Sequence, residues 1–195
     1  MHEVLSKNLF LVKEHVGMFK AANNYDIHDP ATGNVIMHCR EPRLGIFTKI
    51  LRFTEYKRYT PFDIRITTPE GTPLVQVTRG VTLLRSRVNV IDETGTRIGG
   101  FKQKLFSIGG RFEVLDDSDE PLCTLQGKWT GWDFRFVRDE HEFAHVTKKW
   151  AGLGKELFTS ADNYVLEISD TVPADSRLRQ LILAAVMCID MVLKE

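Results

Sequence analysis

The last stretch of the chain sets the strongest limit on its fold. From Leu178 to Leu193 only Arg179, Gln180 and Asp190 are not apolar, and Leu181 to Ile189 is apolar throughout. Asp175-Ser176, just after Pro173, can cap such a segment, so the spacing predicts a helix to about Leu193. A helix that is apolar on every side has to be buried, in protein or in lipid. Its 16 residues span roughly 24 Å, short of a hydrocarbon core of about 30 Å. Asp190 adds the cost of a carboxylate in lipid. The rest of the chain is therefore expected to enclose this helix, with Leu181, Ile182, Val186 and Ile189 in the core.

What could enclose it is visible upstream. From Asn8 to about Ser169 one unit recurs: a short run rich in Val, Ile, Phe and Thr, a turn of Asp, Pro and Gly, then another run. The turns are Asp29-Pro30-Ala31-Thr32-Gly33, Pro69-Glu70-Gly71-Thr72, Asp92-Glu93-Thr94-Gly95, Asp116 to Pro121 and Asp139 to Glu142. Pro presets φ, Gly accepts positive φ, and Asp bonds the backbone just after it. Phe62-Asp63-Ile64-Arg65-Ile66-Thr67 alternates apolar and polar residues, as do Arg87-Val88-Asn89-Val90-Ile91 and Phe134-Arg135-Phe136-Val137. Turn signals at this spacing predict roughly a dozen antiparallel strands, whose edges are hidden most economically by closing a barrel. Residues 1–195 are expected to form one mainly β domain.

Lys and Arg number 26 and so do Asp and Glu, so no overall field points to nucleic acid or to an anionic membrane. A local patch would be needed. The segment Arg43 to Tyr59 offers one: Leu44, Phe47, Ile50 and Leu51 fall at helical spacing among Arg43, Lys49, Arg52, Lys57 and Arg58. It reads either as a solvated loop or short surface helix, or as a basic amphipathic surface for anionic phospholipid, with Phe47 and Phe53 dipping inward. Cys39, Cys123 and Cys188 are far apart and odd in number, which argues against a disulfide framework or structural zinc. Without a signal-like N-terminus, the protein is expected in the cytoplasm, with peripheral membrane contact as the one elaboration.

Motifs for catalysis fail on geometry. His141-Glu142-Phe143-Ala144-His145 matches H-E-x-x-H, but zinc needs both imidazoles on one helical face, and this segment reads as a strand on which they stand about 13 Å apart. Gly152-Leu153-Gly154-Lys155-Glu156 lacks the first glycine and the hydroxyl residue of a P-loop. Gly99-Gly100 and Gly109-Gly110 suit bulges or barrel corners. Trp129 and Trp132 suit either a core pair or an exposed platform for lipid. With no nucleophile-base pair, no enzyme is expected.

Lys149-Trp150-Ala151-Gly152, Glu156-Leu157-Phe158-Thr159, Ala161-Asp162-Asn163-Tyr164 and then Cys188-Ile189-Asp190 within the apolar helix occur in that order. This series resembles the phospholipid scramblase and LURP-one-related family, more loosely supported upstream by Pro61-Phe62-Asp63-Ile64 and Gly71 to Arg79. The resemblance implies a tubby-like fold, a barrel of about twelve strands around a central helix. It also implies a lipid- or membrane-interacting protein; the alternative is a tubby-like module that binds some other ligand or protein. Calcium is the one cofactor it suggests, through a stretch before the helix that offers Asp162, Asn163, Glu167 and Asp170. On a strand these carboxylates spread over more than about 20 Å, which favours a simple turn capped by Asp162 and Asn163. The Pro-rich leader and Cys-rich acylation cluster of animal scramblases have no counterpart here, so acylation is not expected to anchor the chain.

Overall fold

The structure is a computed structural model and describes residues 1–14, 24–42, 60–80, 87–103, 111–128, 132–148 and 163–192. Twelve strands follow one another: β1 (Leu9–Glu14), β2 (Tyr25–His28), β3 (Val35–Arg40), β4 (Phe62–Thr67), β5 (Pro73–Arg79), β6 (Arg87–Asp92), β7 (Arg97–Gln103), β8 (Phe112–Asp116), β9 (Pro121–Lys128), β10 (Asp133–Arg138), β11 (His141–Thr147) and β12 (Asn163–Ile168). Each pairs antiparallel with its neighbours in sequence, and β12 returns to β1 through Phe10↔Leu166 and Val12↔Tyr164, which closes the barrel. The expected alternation holds. On β4 the side chains of Phe62, Ile64 and Ile66 are buried and that of Arg65 is exposed.

The tight turns form by the expected chemistry. Asp29 Oδ1 accepts from the Ala31 amide at 2.9 Å, and Asp92 Oδ1 accepts from the amides of Thr94 and Thr96 at 2.9 and 3.0 Å. Asp116 Oδ1 does the same for Ser118 and Glu120, both at 2.9 Å. The hairpin between β10 and β11 is shorter than its sequence suggests. Its turn is Asp139-Glu140, with Asp139 at φ +53°, and His141 and Glu142 already belong to β11. An Asp tolerates the left-handed region, so two residues suffice.

One helix, α1 (Arg177–Val192), follows, and Ser176 Oγ accepts from the Leu178 amide at 3.2 Å as its cap. Seven consecutive residues, Leu181 to Met187, are each at most 3% exposed. At about 100° per residue seven positions cover the whole circumference, so the helix is enclosed on every side. Leu181, Ile182, Val186 and Ile189 lie in the single core cluster with the inward residues of the barrel. Enclosure requires close approach at the wall. A Cβ on Gly99 would lie 2.1 Å from the Leu115 carbonyl oxygen and 3.1 Å from Leu181 Cδ2, and one on Gly100 would lie 2.1 Å from the Val88 oxygen. The β6–β7 register shifts beside Gly99, between Val90 and Ile91, as expected for a bulge.

The antiparallel order sorts the connections. Those from β2 to β3, β4 to β5, β6 to β7, β8 to β9, β10 to β11 and β12 to α1 join strands at the end where the helix enters. The other six join strands at the far end.

Candidate functional site

At the entry end a buried cation fastens the helix to the rest of the barrel. Arg179 is 3% exposed, and a short 3-10 turn (Glu3–Ser6) packs beside the helix there. Its Nε donates to the Pro173 oxygen at 2.9 Å, Nη1 to the Lys7 oxygen at 2.9 Å, and Nη2 to the Val172 oxygen at 2.9 Å and Asn8 Oδ1 at 2.6 Å. Asn8 in turn donates to Asp170, so a carboxylate reaches the guanidinium through one amide. Burial lowers the Arg179 pKa and Asp170 opposes that shift. Beside it, Gln180 Nε2 donates to Glu93 at 2.9 Å and to the Leu74 oxygen at 3.3 Å. Sequence reasoning noted Arg179 and Gln180 only as exceptions in an apolar helix. A charge in the first turn of such a helix was the available signal that this end is tied by hydrogen bonds.

The calcium candidates are spread along this side of the barrel. Asn163 opens β12 opposite Lys13, Glu167 lies four residues along the same strand between Leu9 and His145, and Asp170 sits in the turn beyond. At about 3.3 Å per residue, Asn163 and Glu167 are about 13 Å apart. Asp162 lies outside the described residues. Glu167 and Asp170 do share one open groove, of about 410 Å³, with Asn8, Glu142 and His145. Glu142 accepts from Arg135 Nη1 at 2.6 Å and Asp170 from Asn8, so two of the three carboxylates already have protein partners. Among the described residues no three His, Cys, Asp or Glu side chains come together as a metal site would require. His141 and His145 stand on β11, and His145 Nε2 lies 2.7 Å from Asp133 Oδ1, which keeps H-E-x-x-H a strand rather than a zinc helix.

Near the far end, Trp132 stacks on Tyr164 at 5.4 Å between ring centroids and meets Phe134 edge-on at 6.1 Å. Lys148 Nζ lies 4.3 Å over its indole. Trp132 is thus partly buried and packed against the core; Trp129 lies outside the described residues. Cys39 and Cys123 are buried and unbridged, and burial pushes the Cys123 thiol up to about 12, far from a nucleophile's range.

The basic segment Arg43, Lys49, Arg52, Lys57 and Arg58 lies outside the described residues. No helix among the described residues is long and apolar enough to cross a membrane. A solved crystal structure of a protein from Arabidopsis thaliana is similar, at 14% identity and a TM-score of 0.52, over 96% of this chain and 93% of that one. That likeness concerns the fold alone. The scramblase family model matches residues 6–195, nearly the whole chain and every strand of the barrel. On that match the chain belongs to the scramblase family.

Proposed function

We propose that this protein is a non-enzymatic module that docks peripherally on anionic phospholipid. Membership of the scramblase family supports a lipid-related role. The observation that carries the peripheral mode is the enclosure of α1: its apolar side chains from Leu181 to Met187 are used up inside the barrel, so contact with a bilayer falls to the outer surface. In this reading Arg43, Lys49, Arg52, Lys57 and Arg58 meet the headgroups. That Cys39 and Cys123 are buried and form no disulfide supports a reducing compartment such as the cytoplasm.

Flotation of the detergent-free protein with phosphatidylcholine vesicles, with and without phosphatidylserine, tests this. Binding is expected only to the anionic vesicles, and replacing the five basic residues with Ser should abolish most of it. Binding that ignores lipid charge and salt would defeat the proposal, and so would no binding at low salt. Calcium is a secondary part of the reading, through Asp162, Asn163, Glu167 and Asp170. A chelator that leaves flotation unchanged would remove it.

A further inference from the structure

At the entry end, part of the core is supplied by a strap that precedes β1. Val4 and Leu5, 8% and 1% exposed, join the core cluster from the 3-10 turn (Glu3–Ser6) that lies against α1. The scramblase family match begins at residue 6, so these two side chains fill the core from outside the matched region. The strap is also one wall of an open groove of about 490 Å³, whose apolar lining includes Val4, Val35, Ile36 and Pro69 beside exposed Glu3 and Glu70. Its two ion pairs, Lys7 to Asp29 at 3.0 Å and the Met1 amine to Glu93 at 3.3 Å, are partly exposed and hold it weakly.

Arg179 stands against the strap backbone. Among the described residues its hydrogen-bond partners are all neutral: the backbone oxygens of Leu5, Lys7, Val172 and Pro173 and the amide oxygen of Asn8. Asp170 reaches it through Asn8. A buried guanidinium gains more from a directly bonded anion, because charge-assisted hydrogen bonds are roughly twice as strong as neutral ones. The nitrogens divide between two sides. Nε and Nη2 are held by Pro173, Val172 and Asn8, and Asn8 stays with the barrel because its oxygen accepts from the Ile168 amide at 2.7 Å. Nη1 alone meets the strap, at 3.5 Å from the Leu5 oxygen and 2.9 Å from that of Lys7. When the strap lifts, the guanidinium keeps its orientation and presents Nη1 to the space left behind.

We propose that the strap is a built-in occupant of a site for a single-chain anionic lipid, a long-chain carboxylate whose acyl chain takes the place of Val4 and Leu5 and whose head meets Arg179. This rests on the lipid-related reading above and names a ligand chemistry for it, apart from the headgroup surface. The acyl chain buries along Val35 and Ile36 and against the core cluster, as the strap side chains do when the strap is closed. The carboxylate gives Arg179 an ionised oxygen in place of a neutral one. Strap closure and binding exclude each other, so the apparent affinity scales with the fraction of molecules whose strap is open.

The full chain is titrated with sodium laurate below its micellar range, followed by calorimetry and hydrogen exchange. Saturable binding is expected, with exchange quickened at residues 3–7 and unchanged in β8 to β10. Dodecylamine, with the same chain length and the opposite charge, should not bind; preference for it would hand the head position to Glu3 and Glu70 and overturn the role of Arg179. Leu5→Ala loosens the strap and should tighten laurate binding by about tenfold. A strap that is merely structural would lower Tm in this variant without any gain in affinity, and that result defeats the proposal. So does laurate binding that leaves strap exchange unchanged, which is read on the unaltered chain and needs no variant to fold. Failure of laurate to bind removes the site, while flotation with anionic vesicles, measured apart, still decides the docking surface.

Discussion

The two ends of this barrel are built by different means. At the entry end the chain turns within a few residues, and Asp29, Asp92 and Asp116 spend a carboxylate oxygen on the backbone amides of their own turns. At the far end most of the connections run longer in sequence, the longest from β3 to β4. The chemistry that makes a turn tight favours Asp, so an end made of tight turns becomes anionic as a by-product. In a chain with balanced totals, the compensating Lys and Arg stand outside these turns, as Arg87 and Arg97 do where both pair with Asp119.

The most severe test of this comparison removes both ends together. Leu183 is 1% exposed at the middle of α1, and Leu183→Asp would bury an unpaired carboxylate at a cost above about 4 kcal/mol. Loss of the cooperative urea transition is expected. A variant that stays folded and monomeric would contradict the enclosed helix on which the sorting of the ends depends.

Arg179→Met should act on the entry end alone. It removes the guanidinium donors to the oxygens of Lys7, Val172 and Asn8, while the Pro173 oxygen keeps the Ser176 amide, at a cost of about 3 kcal/mol in urea unfolding. Hydrogen exchange should quicken first at the 3-10 turn and the start of α1. Uniform acceleration across the barrel would mean that Arg179 is not specific to this end.

Gly95 and Gly80 sharpen the comparison at smaller scale. Gly95, in an entry-end turn, sits at φ +84°, and Gly95→Ala should cost about 1 kcal/mol. Gly80, at the other end, has open space around its Cα, and Gly80→Ala should be neutral or slightly stabilising, by up to about 1 kcal/mol. Equal denaturation midpoints for the two variants would remove the distinction in turn geometry.

The smallest effect is on acid stability. The Ala31 amide and then Lys7 hold the Asp29 carboxyl below its ordinary value of 3.8, and hydrogen bonds from Arg87 and then Arg97 hold Asp119 below it too. A carboxyl lowered in the folded state adds stability that is complete above the ordinary value and is lost as pH falls through the folded one. The entry-end hairpins should therefore weaken only below about pH 4, seen as a fall in Tm that Asp29→Asn reduces. A Tm that falls equally in the Asn variant would assign the acid sensitivity to other groups.

Much of the architecture was legible because it is written in local patterns. Period-2 alternation around Phe62 to Thr67, Asp and Gly at the turns, and an apolar run with a Ser cap each depend on neighbours a few residues away. The β10–β11 turn was read two residues too long, because His141 and Glu142 look polar enough for a loop and only cross-strand pairing with Val137 and Arg138 makes them strand. The candidate site was far less legible. Arg179 takes its partners from Lys7 and Asn8, and Glu167 meets His145 across a ladder; separations of that kind leave no trace in spacing.

The sequence by itself determined that strands of this period must close and that a helix apolar on all sides must lie within them, since both follow from burying apolar surface and pairing edges. It equally determined a net charge of zero. Only the tertiary structure decided which of those charges meet, as when Arg87 and Arg97 converge on Asp119. Antiparallel closure sends alternate connections to opposite ends, so whether two charges share a face depends on the parity of the strands between them and not on their distance along the chain.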